Sequence, residues 1–263
     1  MKPVAIVTGA SSGIGRMTAI ALVAKGYTVY DFSRRNVPNE GILHVTADVT
    51  DSDSINRAVQ VVLQAEGHID LLVNNAGFGI SGAVEFTNTE EVTRLFDVNF
   101  FGTVRVVRAV LSQMRQQGSG RIVNISSVAA ICPIPFQTFY SASKSAIMTY
   151  SMALANEVRD FGITVCAVLP GDIKTGFTNA RAKSEHGDDV YNGRIARSVS
   201  RMEHDEENGM SAVVAGRVIA AIASGKSKKP LHTLGFGYRF IAVLVKLLPA
   251  ALVNRLIKIL YAK

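Results

Sequence analysis

The sequence of 263 residues has few cysteines, few charges and no long apolar run. Its two cysteines, Cys132 and Cys166, are too few for a disulfide scaffold and lack the spacing of metal ligands. We therefore expect a reduced, cytoplasmic protein without a metal site. Charged residues make up 19% and hydrophobic residues 48%, which excludes a disordered chain. No apolar stretch reaches the roughly 18 residues of a membrane span, and the run 4–7 is too short for a secretory signal.

Acidic residues are absent from the last part of the chain. Positions 231–263 contain five Lys or Arg residues and no Asp or Glu, whereas the whole chain has a net charge of +7. The first 230 residues are therefore almost neutral, which argues against a nucleic-acid-binding protein. The excess positive charge is a property of the C-terminal extension.

Short apolar runs alternate with helical patterns along most of the chain. The runs lie at 4–7, 28–32, 43–47, 71–73, 121–125 and 164–169, and the helical patterns at 15–25, 52–66, 89–117 and 141–160. Because the runs lack polar alternation, both faces of the sheet are expected to be covered. The order of elements predicts an α/β fold with a doubly wound parallel sheet of the Rossmann type. We predict one domain over 1–230 and a helical C-terminal extension over 231–263.

A glycine-rich segment follows the first apolar run and has the pattern T-G-x-x-x-G-x-G. Glycines there permit a tight turn and let a pyrophosphate approach the free N–H groups at the start of a helix. An ordinary strand-to-helix turn is the alternative interpretation. The predicted cofactor contacts in this loop are Gly9, Ser11, Ser12, Gly13, Ile14 and Gly15.

The end of the second apolar run indicates which dinucleotide is bound. Asp31 lies within the predicted strand, whereas Ser33, Arg34 and Arg35 follow at its end. A guanidinium can bind a 2′-phosphate in bidentate fashion, and a carboxylate would repel it. We therefore predict NADP(H), with NAD(H) held through Asp31 as the alternative.

Polar groups suited to carbonyl chemistry follow the later runs. Tyr140 and Lys144 are four residues apart and so share one face of a helix. A neighbouring ammonium favours phenolate and lowers the pKa of a tyrosine from its ordinary value near 10. Tyr140 is therefore a candidate general acid or base. Ser127 follows the run 121–125 and is a candidate to hydrogen-bond the same substrate oxygen.

Together these motifs resemble the short-chain dehydrogenase/reductase family, whose members use one Rossmann-type domain. The family's glycine-rich pattern matches 8–15, its N-N-A-G matches 74–77, and its Y-x-x-x-K matches 140–144. The catalytic serine of the family matches Ser127, and the P-G after the sixth strand stands at 170–171. The match is dense from residue 3 to about residue 180.

The resemblance implies reversible hydride transfer between a nicotinamide and an alcohol or carbonyl carbon. Tyr140 is then the general acid/base, Lys144 lowers its pKa and holds the nicotinamide ribose, and Ser127 orients the substrate oxygen. Asn99 positions a water that links Lys144 to solvent. The long helices after Asn99 and Tyr140 imply a homodimer or homotetramer. The remaining predicted cofactor contacts are Ser33, Arg34, Arg35, Asp48, Val49, Asn75, Ala76, Gly77, Tyr140, Lys144, Pro170, Gly171, Ile173 and Thr175.

The segment that follows Ser127 is strongly apolar. Positions 128–136 and Phe139, together with three residues from other strand ends, are expected to line a hydrophobic cleft. Those three are Phe78, Ile80 and Phe177. We predict a hydrophobic secondary alcohol or ketone of steroid, retinoid or fatty-chain type, with a small polar substrate as the alternative. Positions 176–208 correspond to the family's substrate lid and are expected to close over the substrate.

The C-terminal extension is predicted to form two helices, 238–248 and 250–261, separated at Pro249. In the second, apolar residues recur at helical spacing, with Arg255 and Lys258 on the other side. Such a helix can cover the cleft, pack on another subunit or lie on an anionic membrane surface. Packing against protein is the favoured interpretation.

Two other classes of function would use only part of these features. A nucleotide-sensing regulator would retain the fold without the chemistry, but Tyr140 and Lys144 are both present. A membrane-surface scaffold would act through the C-terminal extension. The reductase interpretation uses more of the motifs than either.

Overall fold

The protein is built on a sheet of seven parallel strands, seen in a computed structural model that describes residues 1–38, 41–177 and 181–262. The strands are β1 Val4–Thr8, β2 Thr28–Ser33, β3 Ile42–Thr46, β4 Leu71–Asn74, β5 Gly120–Ile125, β6 Ile163–Leu169 and β7 Leu231–Thr233. Their order in the sheet is β3-β2-β1-β4-β5-β6-β7. The chain adds β2 and β3 on one side of β1 and then continues with β4 on the other side. Folds of this type bind nucleotides at the point between β1 and β4 where the strand order reverses.

Helices cover both faces of this sheet. They are α1 Gly13–Val23, α2 Ser52–Glu66, α3 Thr89–Phe96, α4 Gly102–Gln117, α5 Thr138–Glu157, α6 Arg194–Glu207, α7 Ala212–Ala223, α8 Phe236–Leu247 and α9 Ala250–Tyr261. The predicted doubly wound Rossmann-type α/β fold with C-terminal helices is confirmed.

Two hydrophobic cores lie on opposite faces of the sheet, and β1 contributes to both. Val4 and Ile6 pack into the core beneath α2, α4 and α5, whereas Ala5 and Val7 pack into the core beneath α1 and α7. All four side chains are fully buried. Successive side chains of a strand point to opposite faces, so an uninterrupted apolar strand is what a sheet covered on both sides requires.

The structure differs from the sequence-based expectation in two places. The predicted extension contributes the edge strand β7, which pairs with β6, so the helical part begins at Phe236. Three residues give too short a pattern to distinguish a strand from a loop. The helical pattern 89–117 is interrupted by a π-helical turn at Asp97–Phe101. Such turns are rare and occur most often at functional sites.

Candidate active site

A cavity of about 1440 Å³ opens at the carboxyl ends of β1, β2, β4, β5 and β6. Of the predicted catalytic and cofactor-binding residues, only Gly15 and Asn99 do not line it. One half of the cavity is bordered by the glycine loop and the end of β2. The other half extends past Ser127 and Tyr140 to the C-terminal helices. The predicted cofactor and catalytic residues are therefore brought to one place.

The glycine loop fits a pyrophosphate. Gly9 and Gly13 have φ angles of 68° and 57°, which residues that carry a Cβ adopt only at a cost in free energy. No side chain caps the start of α1, and its first turn contains no acidic residue. Gly13 and Ile14 of that turn line the cavity, and free N–H groups and the helix dipole at such a helix start favour a negatively charged group.

Gly15 has a packing role rather than a contact with the cavity. A Cβ at this position would lie 2.4 Å from Asn75 Nδ2 and 2.6 Å from the Gly9 carbonyl oxygen. The absence of a side chain lets α1 approach the loop after β4 closely. The prediction of Gly15 as a direct cofactor contact is therefore not matched by its position.

Asp31 is buried and supports the loop instead of facing the cavity. Its Oδ1 accepts a hydrogen bond from Ala10 N at 2.9 Å, and its Oδ2 accepts one from Ser33 Oγ at 2.7 Å. His44 Nδ1 lies 3.2 Å from the same Oδ2. Each carboxylate oxygen thus has a partner within the protein. Arg34 and Arg35, by contrast, are exposed and line the cavity.

The next two loops complete the cofactor half. Thr8 Oγ1 accepts hydrogen bonds from Asn75 N and Ala76 N at 2.9 and 3.0 Å, which fixes the loop after β4 against β1. Burial acts to raise the pKa of Asp48, but hydrogen bonds from Thr50 and the nearby charges of Arg34 and Arg105 outweigh it and lower that pKa. Asp48 is thus an anion held by its neighbours.

Ser127, Tyr140 and Lys144 converge where β5 ends and α5 begins. The Ser127 hydroxyl hydrogen-bonds the Tyr140 phenol. Lys144 is buried, its Nζ donates to the Ile125 carbonyl oxygen at 3.1 Å, and it lies 5.7 Å from the centre of the Tyr140 ring. The hydroxyl, the phenol and the ammonium thus form one cluster beside the cavity.

The protonation of this cluster is set mainly by burial. Burial raises the pKa of Tyr140 to about 12, and the hydrogen bond from Ser127 and the charge of Arg181 act in the opposite direction. Burial lowers the pKa of Lys144 to about 8. At neutral pH the phenol therefore keeps its proton and the lysine keeps most of its charge.

Asn99 lies behind the cavity in the π-helical turn. Its Oδ1 accepts from Phe78 N at 3.0 Å, and its Nδ2 donates to the Phe78 carbonyl oxygen at 3.0 Å and to Ser143 Oγ at 3.1 Å. The side chain is thus used to join the loop after β4 to α5. Its predicted part in a proton relay stays a prediction.

A buried cation near Tyr140 was missed by the sequence analysis. The Arg181 side chain is fully buried and pairs with Glu206 of α6. The Gln137 amide oxygen accepts from Arg181 Nε at 3.1 Å, and the guanidinium lies 5.7 Å from the Phe177 ring. Phe177 in turn packs 5.8 Å from the Tyr140 ring. No local pattern marks Arg181, because its partners come from distant parts of the chain.

The substrate half is apolar, but its walls differ from the prediction. Six of the expected residues line it: Phe78, Val128, Ala129, Cys132, Ile134 and Phe177. The other expected residues do not line it: Ile80, Ala130, Ile131, Pro133, Pro135, Phe136 and Phe139. Ile80 pairs with Ala182, and Phe136 packs against Ile195 and Tyr191. The C-terminal helices form this part of the wall instead. The cavity is lined there by Ile241, Leu244 and Val245 of α8, by Leu248 in the turn that follows, and by Val253 and Ile257 of α9.

Two tyrosines attach these helices to the rest of the protein. Tyr238 of α8 donates to Asp172 Oδ2, and its ring lies so close to Gly171 that a Cβ there would be 2.1 Å away. Tyr261 of α9 donates to Asp205 Oδ2 at 3.3 Å. Because Gly171 and Asp172 follow β6 and border the cavity, α8 is fixed directly beside the site.

The motifs found in the sequence occur at the positions of one known family, described as short chain dehydrogenase, whose model matches residues 3–186. The chain belongs to this family. Within the residues that the structure describes, no group of three or more His, Cys, Asp or Glu side chains is placed to hold a metal ion.

Individual relatives of this short-chain dehydrogenase extend the match. It is 43% identical over 231 residues to a 3-ketodihydrosphingosine reductase of Bacteroides thetaiotaomicron, which covers 86% of each chain. A solved short-chain dehydrogenase from Streptomyces avermitilis aligns over 97% of this chain and 98% of its own, with a TM-score of 0.81 and 34% identity. ElxO with NADP bound aligns over 91% of this chain and all of its own, with a TM-score of 0.77 and 25% identity. The protein is an oxidoreductase of this family, and a nicotinamide cofactor is supported.

Proposed function

We propose that this short-chain dehydrogenase is an NADP(H)-dependent enzyme that interconverts a ketone and a secondary alcohol attached to an apolar, fatty-type chain. One observation carries the proposal. The cavity that contains Ser127 and Tyr140 continues into an apolar space walled by α8 and α9. Small-molecule sites of this kind are mostly apolar, with a few placed polar groups that fix the reacting end.

The choice of NADP(H) rests on the end of β2. Arg34 and Arg35 are exposed at the cavity, whereas both oxygens of Asp31 already accept hydrogen bonds within the protein. A 2′-phosphate would meet guanidinium groups there, and the Asp31 carboxylate is already hydrogen-bonded within the protein. The cofactor would be held by the glycine loop at its pyrophosphate, by Arg34 at its phosphate and by Lys144 at the nicotinamide ribose.

When bound, the nicotinamide supplies or accepts the hydride. In ketone reduction, Tyr140 donates its Oη proton to the carbonyl oxygen while Ser127 hydrogen-bonds the same oxygen. Its pKa of about 12 keeps Tyr140 protonated for this step at neutral pH. Alcohol oxidation requires Tyr140 to accept the proton instead, and the Ser127 hydrogen bond and the Arg181 charge both favour the phenolate. Lys144 adds a buried positive charge beside the ring.

The chain type of the substrate is supported by two independent facts. Apart from Tyr238 and Tyr261, whose hydroxyls donate to Asp172 and Asp205, the side chains that α8 and α9 turn toward the cavity are Ile, Leu and Val, which offer no hydrogen bonds to a polar substrate. The Bacteroides relative is named for the reduction of a sphingosine-type ketone. A fatty chain therefore suits the cavity better than a small polar alcohol.

The test is a series of methyl ketones of increasing chain length, measured with NADPH and with NADH. Each added methylene is worth about 0.8 kcal/mol when buried, so kcat/KM with NADPH should rise by roughly fourfold per carbon until the cavity is filled. A kcat/KM that stays flat or falls with chain length would support the small polar substrate instead. Higher kcat/KM with NADH would overturn the cofactor assignment and leave the ketone assignment intact.

Three expectations from the sequence remain proposals beside this one. Closure of the segment 176–208 over the substrate is compatible with the positions of Phe177, Met202 and Glu206 at the cavity wall. Assembly into a homodimer or homotetramer would use the long helices α4 and α5. A cytoplasmic setting is the third.

A further inference from the structure

The outward face of α8 is apolar and exposed. Phe236, Phe240, Val243 and Leu247 recur at intervals of four, three and four residues and so form one stripe along the helix. Their exposed fractions are 91, 65, 58 and 75%, although the same helix turns Ile241, Leu244 and Val245 toward the cavity. The helix thus has two apolar faces, of which one borders the cavity and the other faces away from the protein.

The adjoining helix α9 continues this apolar surface at the mouth of the cavity. Leu256, Ile259 and Leu260 line the cavity and remain 43, 44 and 59% exposed. Val253 and Ile257 of the same helix are buried against the protein. The cavity therefore has an apolar rim, connected through the turn at Pro249 to the α8 stripe.

Positive charges lie beside the two apolar surfaces. Arg239 and Lys246 each precede a member of the α8 stripe, and Arg255 and Lys258 lie on α9. All four side chains are exposed, and positions 231–263 contain no acidic residue. Exposed apolar side chains flanked by Lys and Arg are the features with which a helix binds at the surface of an anionic bilayer.

A second copy of the chain fits this face less well than a lipid surface. A symmetric contact would bring the same surface together with itself. The cations of one α8 would then meet those of the other, with no acidic residue of the segment between them. An anionic lipid surface supplies charge of the opposite sign, and its apolar interior can accept the α8 stripe at the same time.

We propose that α8 and α9 form a peripheral docking surface for anionic lipid bilayers, with the α8 stripe inserted at the interface and Arg239, Lys246, Arg255 and Lys258 on the headgroups. Across the described part of the chain, no helix is long and apolar enough to span a bilayer. Contact would therefore be reversible and salt-sensitive. The inference goes beyond the proposed function and does not depend on it, since binding to lipid is measured without turnover.

The test is flotation of the full-length protein with phosphatidylcholine vesicles that contain or lack phosphatidylglycerol. We expect the protein to bind the anionic vesicles and this binding to weaken as the salt concentration rises. The double variant Phe240→Ser with Leu247→Ser removes apolar contact and should abolish flotation. Lys246→Gln with Arg255→Gln should weaken it by about fivefold per cation removed. None of these four side chains was assigned to catalysis or cofactor binding.

Matched controls separate lipid binding from general surface effects. Val61→Ser with Phe161→Ser alters two apolar side chains that are 47 and 45% exposed elsewhere on the protein, and it should leave flotation unchanged. Lys25→Gln with Lys228→Gln is the corresponding charge control. The molar mass of each variant in solution is measured by light scattering. If the wild type does not float, or if the α8 double variant halves the molar mass, the surface belongs to a second copy or to no partner and the proposal is wrong.

Discussion

The two halves of the active-site cavity are built in different ways. The cofactor half is fixed by hydrogen bonds between neighbouring loops, such as those from Ala10 to Asp31 and from Asn75 to Thr8. The substrate half is walled by apolar side chains from α8 and α9, which two tyrosine side chains attach to the body of the protein. Under the proposed function, the first half specifies the position of the polar cofactor, and the second selects substrates by size and hydrophobicity. Substitutions in the two halves should therefore affect different kinetic constants.

The largest effect is expected at the junction of the two halves. Tyr140→Phe removes the proton donor and keeps the ring, so kcat/KM should fall by about 10² to 10⁴ while NADPH still binds. Steady-state kinetics and fluorescence titration measure the two quantities. Tyr150 lies in the same helix as Tyr140 but does not line the cavity, so the Tyr150→Phe enzyme should remain fully active. Full activity of Tyr140→Phe would remove Tyr140 from the proposed mechanism.

A smaller effect, confined to the cofactor half, is expected at Arg34. Arg34→Ala should weaken NADPH binding by roughly tenfold to a hundredfold, because hydrogen bonds to charged groups contribute about 1.5–3 kcal/mol. NADH binding should not change, since NADH lacks the 2′-phosphate. Arg57→Ala, which removes another exposed arginine that does not line the cavity, is the control. An equal loss for both dinucleotides would mean that Arg34 does not distinguish them.

Substitutions in the substrate half should change the KM for the longer ketones. Leu244→Ala removes part of the apolar wall and widens the cavity. It should raise the KM for the longer ketones by about tenfold, with little change for the shortest ketone. Leu247 lies one turn along the same helix, is 75% exposed and does not line the cavity. Leu247→Ala should therefore leave both values unchanged. If the two variants behave alike, α8 does not contact the substrate.

The smallest expected effect is a pH dependence of cofactor binding. Burial lowers the pKa of Lys144 to about 8, so the ammonium is present below that pH and is lost as the pH rises through it. If the ammonium holds the ribose, the Kd for NADPH should rise by about fourfold between pH 7 and pH 8.5. Lys144→Arg stays charged over this range and should give a flat profile. A profile that is the same for both proteins would assign the titration to another group.

Sequence alone located the parts of the candidate site that are formed within a few residues. The glycine loop and the pair Tyr140 and Lys144 depend on local backbone geometry, so their spacing identifies them. Arg181 and Asp31 were harder to interpret because their partners lie 25 and 21 residues away in the chain. The same holds for α8 and α9, whose periodicity showed that they are helices but not that one apolar face covers the substrate half.

The attachment of α8 to the sheet limits how the substrate half can change its width. β7 ends at Thr233, Leu234 is buried and donates its N–H to the Leu169 carbonyl oxygen at 2.9 Å, and α8 begins at Phe236. Gly235, with a φ of 88°, is the one residue between the hydrogen-bonded Leu234 and the first residue of α8. The two backbone torsions of Gly235 therefore set the direction of α8 relative to the sheet, and a rotation about either torsion would move the whole helix. A Gly235→Pro variant would fix one of those torsions near −65° and could not reproduce the observed direction.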